Sequence, residues 1–325
     1  MLQRFKILRQ LSDGRFHSGS ELGEILGISR AAVWKHLLAL NDLDIDIHAV
    51  RGRGYQLAQP LELLSKEHIL SAMDADVKKS MSVLEVFDVI DSTNSYLMQE
   101  AVNGSSSGHV CLAESQNAGR GRRGKRWISP YARNIYASVL WHFPTGPDSL
   151  AGLGLAVGVG IIRTLSQYGI NDAGLKWPND VIWNGAKLGG VLLEMTGISA
   201  SNCSVVVGVG LNVTMSGTVV EEIDQPWTDI ATILGDRVSR NDISASLIQN
   251  ILKVLIAYET HGLEPFLAEW REHDMVTGRQ VTVQLPDSEL SGVGQGIDDK
   301  GSLVVKSNNA MHRFFSGEVS LQVAR

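Results

Sequence analysis

Over residues 2–40 apolar positions recur at helical spacing. Leu2, Phe5, Leu8 and Leu11 share one face of a first helix. In "SGSELGEILGIS", Ser18 or Ser20 can accept a backbone N–H at a helix start, Leu22, Ile25 and Leu26 form the apolar face, and Gly27 supplies a left-handed stop. Ser29 caps a third helix, "RAAVWKHLLAL". Two helices joined by so tight a Gly-containing turn predict a helix-turn-helix. The period then changes to two. "DIDIHAV" and "GYQLAQP" alternate as strands joined by "RGRG", a hairpin wing with Arg51 and Arg53 near its tip.

From about 65 to 265 strands and helices mix. Strands are predicted over Val83–Ile90, His109–Ala113, Ile135–Phe143, Leu175–Trp177 and Val205–Val213. Val181–Trp183 and Lys187–Met195 flank Asn184-Gly185, a hairpin signal because both residues readily adopt positive φ. Helices are predicted from Asp91 or Ser92 toward Val102, over Leu150–Tyr168 with glycines for close packing, and over Ser244–Tyr258. "NGSSSG" at 103–108 reads as a flexible loop. Beyond about 278, "QVTVQL", "GVGQGI", "SLVVK", "HRFF" and "EVSLQV" are short β runs, for which a small SH3-like barrel packed on the middle part is the natural closure. The expected units are 1–62, 63–275 and 276–325.

Composition adds boundaries. At 325 residues, 44% hydrophobic and 20% charged, the chain has ample core for several domains. No signal peptide is expected, and the longest apolar run, Leu150–Ile162, is Gly-rich and short of the roughly 20 residues that span a bilayer. Cys111 and Cys203 sit in no paired motif, which fits buried thiols in a reducing, cytoplasmic setting. Formal net charge is −6, unevenly divided. Residues 1–60 hold eight Lys/Arg against six Asp/Glu (+2), the remainder 21 against 29 (−8). Only the N-terminal part is suited to lie on DNA, through Ser29, Arg30 and Lys35 at the third helix and Arg51 and Arg53 on the wing.

"AGRGRRGKRW" (118–127) sets Arg120, Arg122, Arg123, Lys125 and Arg126 among Gly119, Gly121 and Gly124. Glycines let backbone N–H groups approach an anion, and arginine forks match phosphate oxygens. It is no Walker loop, and its GxGxxG spacing has no following helix. A phosphate cradle for a nucleotide or acyl phosphate is the reading, with a solvated loop or a DNA contact as alternatives. "GLKWPND" (174–180) presents Lys176 and Asn179 at a turn. Lys187 opens an apolar strand in which Gly189-Gly190 marks close backbone approach. "DVIDSTN" places Ser92, Thr93 and Asn94 at a strand-to-helix junction, and "VVVGVGLNV" carries Gly208, Gly210 and Asn212.

"STN", "AGRGRRGKRW", "KWPND", "KLGGVLLE" and "GVGLNV", in this order, resemble the biotin–protein ligase family. With the helix-turn-helix and "GRGYQL" wing, the whole chain resembles its bacterial bifunctional members, which are also repressors of the biotin operon. The resemblance implies an α+β multidomain fold: an N-terminal winged helix-turn-helix, a central mixed-sheet domain like class II synthetases, and the C-terminal SH3-like barrel. It implies ATP-dependent formation of biotinyl-5′-AMP, then transfer to a lysine of the biotin carboxyl carrier protein of acetyl-CoA carboxylase. Biotin would be held by Ser92, Thr93, Asn94, Gln116, Gly119, Arg120, Gly121, Arg122, Lys187, Gly190, Leu192 and Gly208. ATP or the adenylate would be held by Arg120, Arg122, Arg123, Lys176, Asn179, Asn212 and Trp227. Lys187, Arg120 and Arg122 would be catalytic, with Lys187 aligning the carboxylate rather than acting as a nucleophile. Mg²⁺ would come with ATP, held by phosphates and water, since no carboxylate cluster marks protein ligands. The adenylate-bound homodimer would bind operator DNA.

The resemblance also implies that 214–227 orders over the adenylate, with Val219, Val220, Ile223 and Trp227 as an apolar lid and Gly217 for flexibility. Departures are Ser316-Gly317-Glu318, where the family usually has Gly-Gly-Glu, Gly189 in place of Ala, and a wing rich in arginine. A sensor-repressor without turnover and a lipoate-type ligase are the competing readings. The intact Gly/Arg loop, Lys176 and Lys187 argue against the first, and the second fits the fold but not the Gly/Arg loop.

Overall fold

Local caps set the N-terminal helices. α1 (Leu2–Leu11), α2 (Gly19–Leu26) and α3 (Arg30–Leu38) precede β1 (Ile47–Val50) and β2 (Gly54–Leu57), which pair antiparallel. Ser18 rather than Ser20 caps α2. Its hydroxyl accepts from Glu21 N while the Glu21 carboxylate accepts from Ser18 N, so two otherwise orphaned donors are satisfied at once. Gly27 ends α2 at φ 66°, and the Ser29 hydroxyl accepts from Ala32 N to start α3. This is a computed structural model, and it describes residues 2–59, 61–199, 202–215, 223–285, 288–315 and 320–323.

After α4 (Lys66–Ala72) and α5 (Ala75–Lys78) comes a seven-stranded mixed sheet. Its strands are β3 (Val83–Phe87), β4 (His109–Ala113), β5 (Ile135–Phe143), β6 (Gly174–Lys176), β7 (Asp180–Trp183), β8 (Ala186–Ser199) and β9 (Asn202–Leu211), in the order β3-β4-β5-β9-β8-β7-β6. Only β3 and β4 are parallel, and they are joined by α6 (Thr93–Val102). α6 covers one face, where Leu97 packs with Cys111, Leu140 and Val206. α7 (Leu153–Gln167), α8 (Ile230–Leu234), α9 (Arg240–His261) and α10 (Leu267–Glu272) contribute to the other, larger core.

Several expectations shift. β3 stops three residues early, at Phe87. α7 begins at Leu153 because Gly152, at φ 88°, breaks the helix expected from Leu150. α9 runs well past both expected ends, and the short helices α4, α5, α8 and α10 had no strong periodicity to announce them. The close packing expected of the α7 glycines is present: a Cβ on Gly160 would stand 3.1 Å from Val254 of α9. The 103–108 loop is pinned rather than loose, with Ser105 Oγ 2.7 Å from His109 Nδ1 and His142 N donating to Ser107 Oγ.

The C-terminal strands β10 (Gln280–Gln284), β11 (Glu289–Ile297), β12 (Leu303–Ser307), β13 (Ala310–Phe314) and β14 (Ser320–Val323) form an antiparallel sheet in the order β13-β12-β11-β10-β14. Among the described residues this is one sheet with β13 and β14 at its ends, where sequence suggested a barrel. Ser316, Gly317 and Glu318 lie outside the described residues. Val281, Val283, Leu303 and Val305 share the core of α7 and α9, and Trp177 Nε1 donates to Gly301 O at 3.1 Å, so the small sheet is seated on the middle one.

The N-terminal core likewise reaches the middle part. Phe5 stacks on Tyr131 with centroids 5.7 Å apart, and Arg9 pairs with Asp88 at 3.0 Å. Behind this contact, Arg240 and Glu114 form a buried pair at 2.8 Å, and Arg240 also donates to the carbonyls of Glu62 and Asn134.

Candidate functional site

The N-terminus of α6 builds one end of a cavity. Ser92 is its cap, accepting from Ser95 N, which places Thr93 and Asn94 on the first turn facing β5, β8 and β9. Thr93 N donates to Gln116 Oε1 at 2.9 Å, and Gln116 Nε2 donates to Ser129 Oγ at 3.3 Å. Asn94 Nδ2 donates to Glu194 Oε2 at 2.9 Å and Leu192 O at 3.3 Å, while its Oδ1 accepts from Ser138 Oγ at 2.6 Å. These bonds leave the Asn94 amide one orientation. Ser138 lies also 2.7 Å from Thr93 Oγ1, which makes a continuous buried polar network.

The Gly/Arg loop closes on itself beside this end. Trp127 N donates to Gly119 O, Gly121 N donates to Lys125 O, and a single 3₁₀ turn spans Arg122–Gly124, with Arg123 at φ 56°. No α-helix follows. Arg120 Nη2 reaches both carboxylate oxygens of Glu194, at 2.9 and 3.1 Å. Arg122 Nη1 donates to Asn179 Oδ1 at 3.3 Å, and Asn179 Nδ2 donates to Val191 O at 2.8 Å. Mutual repulsion of the cations is therefore relieved in part by acceptors from β8 and from the turn between β6 and β7.

The glycines have more to do with protein than with ligand. A Cβ on Gly119 would stand 2.6 Å from Trp127 O and 2.8 Å from Ser129 Oγ, so this glycine permits closure of the loop, and it does not line the cavity. A Cβ on Gly208 would collide with the Asn94 amide, and one on Gly210 with the Trp127 ring. The close approach expected at β9 is thus made by two side chains of the chain itself. Gly121 and Gly190 do border the cavity with ordinary room around them.

At the opposite end, Lys176 closes β6, a cis Trp177–Pro178 bond follows, and Asn179-Asp180 leads into β7. Asn184 and Gly185 at φ 46° and 78° turn the chain into β8. That brings Lys187 Nζ to 2.7 Å from Asp180 Oδ1 and 5.3 Å from the Trp127 ring centre. Burial holds Lys176 below the ordinary lysine range, and the charges of Lys187 and Lys125 act the same way against Asp180. Burial likewise lowers Arg122. Asn212 Nδ2 donates to Thr228 O at 3.0 Å and Lys187 O at 3.3 Å, and Lys187 N donates to Pro226 O. The segment carrying Trp227 is thereby stitched to the start of β8.

One cavity of about 780 Å³ joins both ends. Ser92, Thr93, Asn94, Gln116, Arg120, Gly121, Arg122 and Arg123 border it, as do Lys176, Asn179, Lys187, Gly190, Leu192, Gly208, Asn212 and Trp227. Its size and mixed lining suit a drug-sized, partly polar ligand. Ile223 and Trp227 of the expected lid line it, whereas Gly217, Val219 and Val220 lie outside the described residues. Sequence reading missed Ser138, Glu194 and Asp180 as site residues. Ser138 and Glu194 were visible as polar residues in largely apolar strands, but nothing local told which network they join. Trp127 also borders the cavity, and its indole N–H has no hydrogen-bond partner among the described residues. Among those residues no group of three or more His, Cys, Asp or Glu is arranged to hold a metal.

The expected DNA residues lie elsewhere. Arg30 and Lys35 are exposed on α3, Arg51 and Arg53 are exposed in the β1–β2 turn, and Ser29 is engaged as the α3 cap. Arg53 is not wholly loose, since its guanidinium sits 4.1 Å over the Phe16 ring centre. No helix of the described residues is long and apolar enough to cross a membrane.

Comparison with known proteins matches three family models: an HTH domain over 3–56, the biotin/lipoate A/B protein ligase family over 86–212, and the biotin protein ligase C-terminal domain over 276–322. The chain is 37% identical to the bifunctional ligase/repressor BirA of Escherichia coli (strain K12), over 98% of this chain and 97% of that one. It is 28% identical to the bifunctional ligase/repressor BirA of Bacillus subtilis (strain 168), over 94% of each. Similarity to the biotin–[acetyl-CoA-carboxylase] ligase of Mycobacterium tuberculosis is 33% over 68% of this chain and 82% of that one. Among solved structures, the biotin protein ligase of Aquifex aeolicus in complex with biotin and ATP superposes with a TM-score of 0.65 at 26% identity, covering 75% of this chain and all of that one.

Proposed function

The chain belongs to the biotin protein ligases, among their bifunctional ligase/repressors, and on that premise we infer that one cytoplasmic polypeptide both attaches biotin to protein and represses transcription in response to it. The observation that carries the ligase reading is one cavity with a hydrogen-bonded polar network of Thr93, Asn94 and Gln116 at one end and a cationic cluster at the other. Biotin's ureido ring lies at the Thr93, Asn94 and Gln116 end. Its carboxylate extends toward Lys187, where the phosphates of ATP meet it.

The first reaction forms a bond between a biotin carboxylate oxygen and the α-phosphorus of ATP and releases pyrophosphate, leaving biotinyl-5′-AMP. Two anions must approach, so preorganised positive charge is the main catalytic requirement. Lys187 supplies it at the carboxylate, sharing its proton-rich head between Asp180 and the incoming oxygens. Arg122, Arg123, Lys176 and Asn179 act on the phosphates. Arg120, tied to Glu194, holds the loop along the ligand. Mg²⁺ would accompany ATP, held by the phosphates and water, and would offset part of the phosphate charge beside Lys176 and the arginines. Asn212 and Trp227 close on the adenosine, and residues 214–227 keep water from the mixed anhydride, which hydrolyses readily.

In the second reaction a lysine amine of the biotin carboxyl carrier protein attacks the acyl carbon, forming an amide and releasing AMP. The units 1–62, 63–275 and 276–325 divide the labour, with DNA bound by the first and the last closing toward an SH3-like barrel. Adenylate binding favours the homodimer, which presents two recognition helices to two half-sites of the biotin operator. By linkage, adenylate that favours the dimer favours DNA binding too. Biotin-dependent ATP–pyrophosphate exchange tests the reading. Absence of exchange, or exchange with lipoate instead, would overturn the enzyme. Operator protection that ignores biotin and ATP would overturn the coupling.

A further inference from the structure

α3 has two unlike faces. Val33 and Leu37 are buried in the N-terminal core, whereas Arg30, Ala31, Trp34, Lys35 and Leu38 are exposed. At 3.6 residues per turn these five make one stripe, an apolar ridge of Ala31, Trp34 and Leu38 edged by Arg30 and Lys35. Trp34 is 46% exposed and Leu38 49%. Trp34 is nonetheless braced: its ring meets Tyr55 of β2, centroids 6.0 Å apart, and Tyr55 exchanges both backbone hydrogen bonds with His17. An indole is thus held half out of the domain, between the second helix of the helix-turn-helix and its wing.

Water is a poor partner for that surface, and the surrounding charge says what fits better. The segment up to residue 60 carries eight Lys/Arg against six Asp/Glu in a chain of net charge −6. A polyanion is the complementary occupant. On a duplex the cations meet phosphates and the ridge meets base edges. Only one base edge in the major groove is apolar, the C5-methyl group of thymine.

We propose that Trp34 is a specificity-determining residue that reads a thymine in each operator half-site by packing its indole on the C5-methyl group, with Arg30 and Lys35 on flanking phosphates. This rests on the repressor reading above. The test uses the full-length protein with biotin and ATP, and duplexes that it enriches from a random-sequence pool. The enriched half-site contains a thymine whose replacement by deoxyuridine, which removes only the methyl group, weakens binding about fourfold per half-site. Trp34→Ala binds the thymine and uracil duplexes equally, and Trp34→Phe retains part of the difference. An unchanged far-ultraviolet circular dichroism spectrum and cooperative melting confirm that both variants fold, and biotin-dependent pyrophosphate exchange at the wild-type rate shows the cavity intact. An undiminished thymine-to-uracil ratio in Trp34→Ala, or in Trp34→Leu should the alanine variant not fold, overturns the proposal and leaves the repressor intact. So does a wild-type protein indifferent to every such replacement. Enrichment of no sequence at all overturns the repressor reading itself.

Discussion

Gly208→Ala tests the site at its most crowded point. Gly208 sits on β9 directly against Asn94, and an ideal Cβ there would fall within 3.0 Å of the Asn94 Cγ and Nδ2 atoms. Contacts that close do not occur, so either the strand or the amide must move. β9 is hydrogen-bonded on both sides, to β5 through Gly208↔Ser138 and to β8 through Gly208↔Leu192, and it will not shift cheaply. Asn94 then turns away and loses its bonds to Ser138 Oγ, Glu194 Oε2 and Leu192 O. One of these is to a charged acceptor, worth about 1.5–3 kcal/mol, and the others are worth about 0.5–1.5 kcal/mol each. Partial replacement by new contacts leaves a net cost of about 2–4 kcal/mol, which for a domain of this size lowers the melting temperature on the order of 5–10 °C. Biotin affinity, by calorimetry, falls at least tenfold while the KM for ATP in pyrophosphate exchange stays near wild type, because the phosphate end is untouched. Gly190→Ala is the control for stability: its nearest neighbours would be 3.4–3.5 Å away, so melting stays at the wild-type temperature. A Gly208→Ala protein with wild-type melting and biotin affinity would refute the packing argument.

Lys187→Ala keeps its melting temperature within a few degrees and loses about 10²–10³-fold in biotin-dependent pyrophosphate exchange, because one preorganised cation is removed from a partly desolvated site; wild-type exchange would remove its role. Truncating one member of the buried Glu114–Arg240 pair, as in Glu114→Ala, costs about 3–5 kcal/mol, whereas the double variant Glu114→Leu with Arg240→Met costs less. Denaturant unfolding of the wild type and the two variants compares them, and a double variant that loses as much as Glu114→Ala or more would contradict the pairing. His17 is desolvated, which lowers its pKa, but Asp13 and Glu21 outweigh this and raise it above 6.5. A raised histidine pKa contributes stability that is fully present below pH 6.5 and is lost as pH climbs through the folded-state value. Melting of the wild type therefore falls across that window more than melting of His17→Gln, and parallel pH profiles would discount the cluster.

How far the chain could be read without coordinates follows the range of the interactions. Gly27 and Ser29 bracket the tight turn before α3, and Asn184-Gly185 turns β7 into β8, because caps and turns are decided within a few residues. Periodicity likewise placed β4 and β5 to the residue and misjudged mainly ends, as at Gly152, where one backbone conformation overrides an apolar run. The residues bordering the cavity came from motifs whose order matches a known family, and folding gathers them from α6, from β6, β8 and β9, and from the loops that follow β4, β6 and β9.

Partnership is what no local pattern contained. Arg120 finds Glu194 across 74 positions, Asn94 finds the same carboxylate across 100, and Arg240 finds Glu114 across 126. The glycines of β9 announced close approach, but only the packed sheet shows that Asn94 and Trp127 make it. By itself the sequence determined the longer elements, several of their caps and turns, the loop rich in glycine and arginine, and the division of charge between the N-terminal part and the remainder. Tertiary structure alone decided which acceptors relieve Arg120, Arg122 and Lys187 and which side of α3 is left exposed, because hydrogen bonds and burial depend on what the fold brings within a few ångströms, and sequence separation does not set that distance.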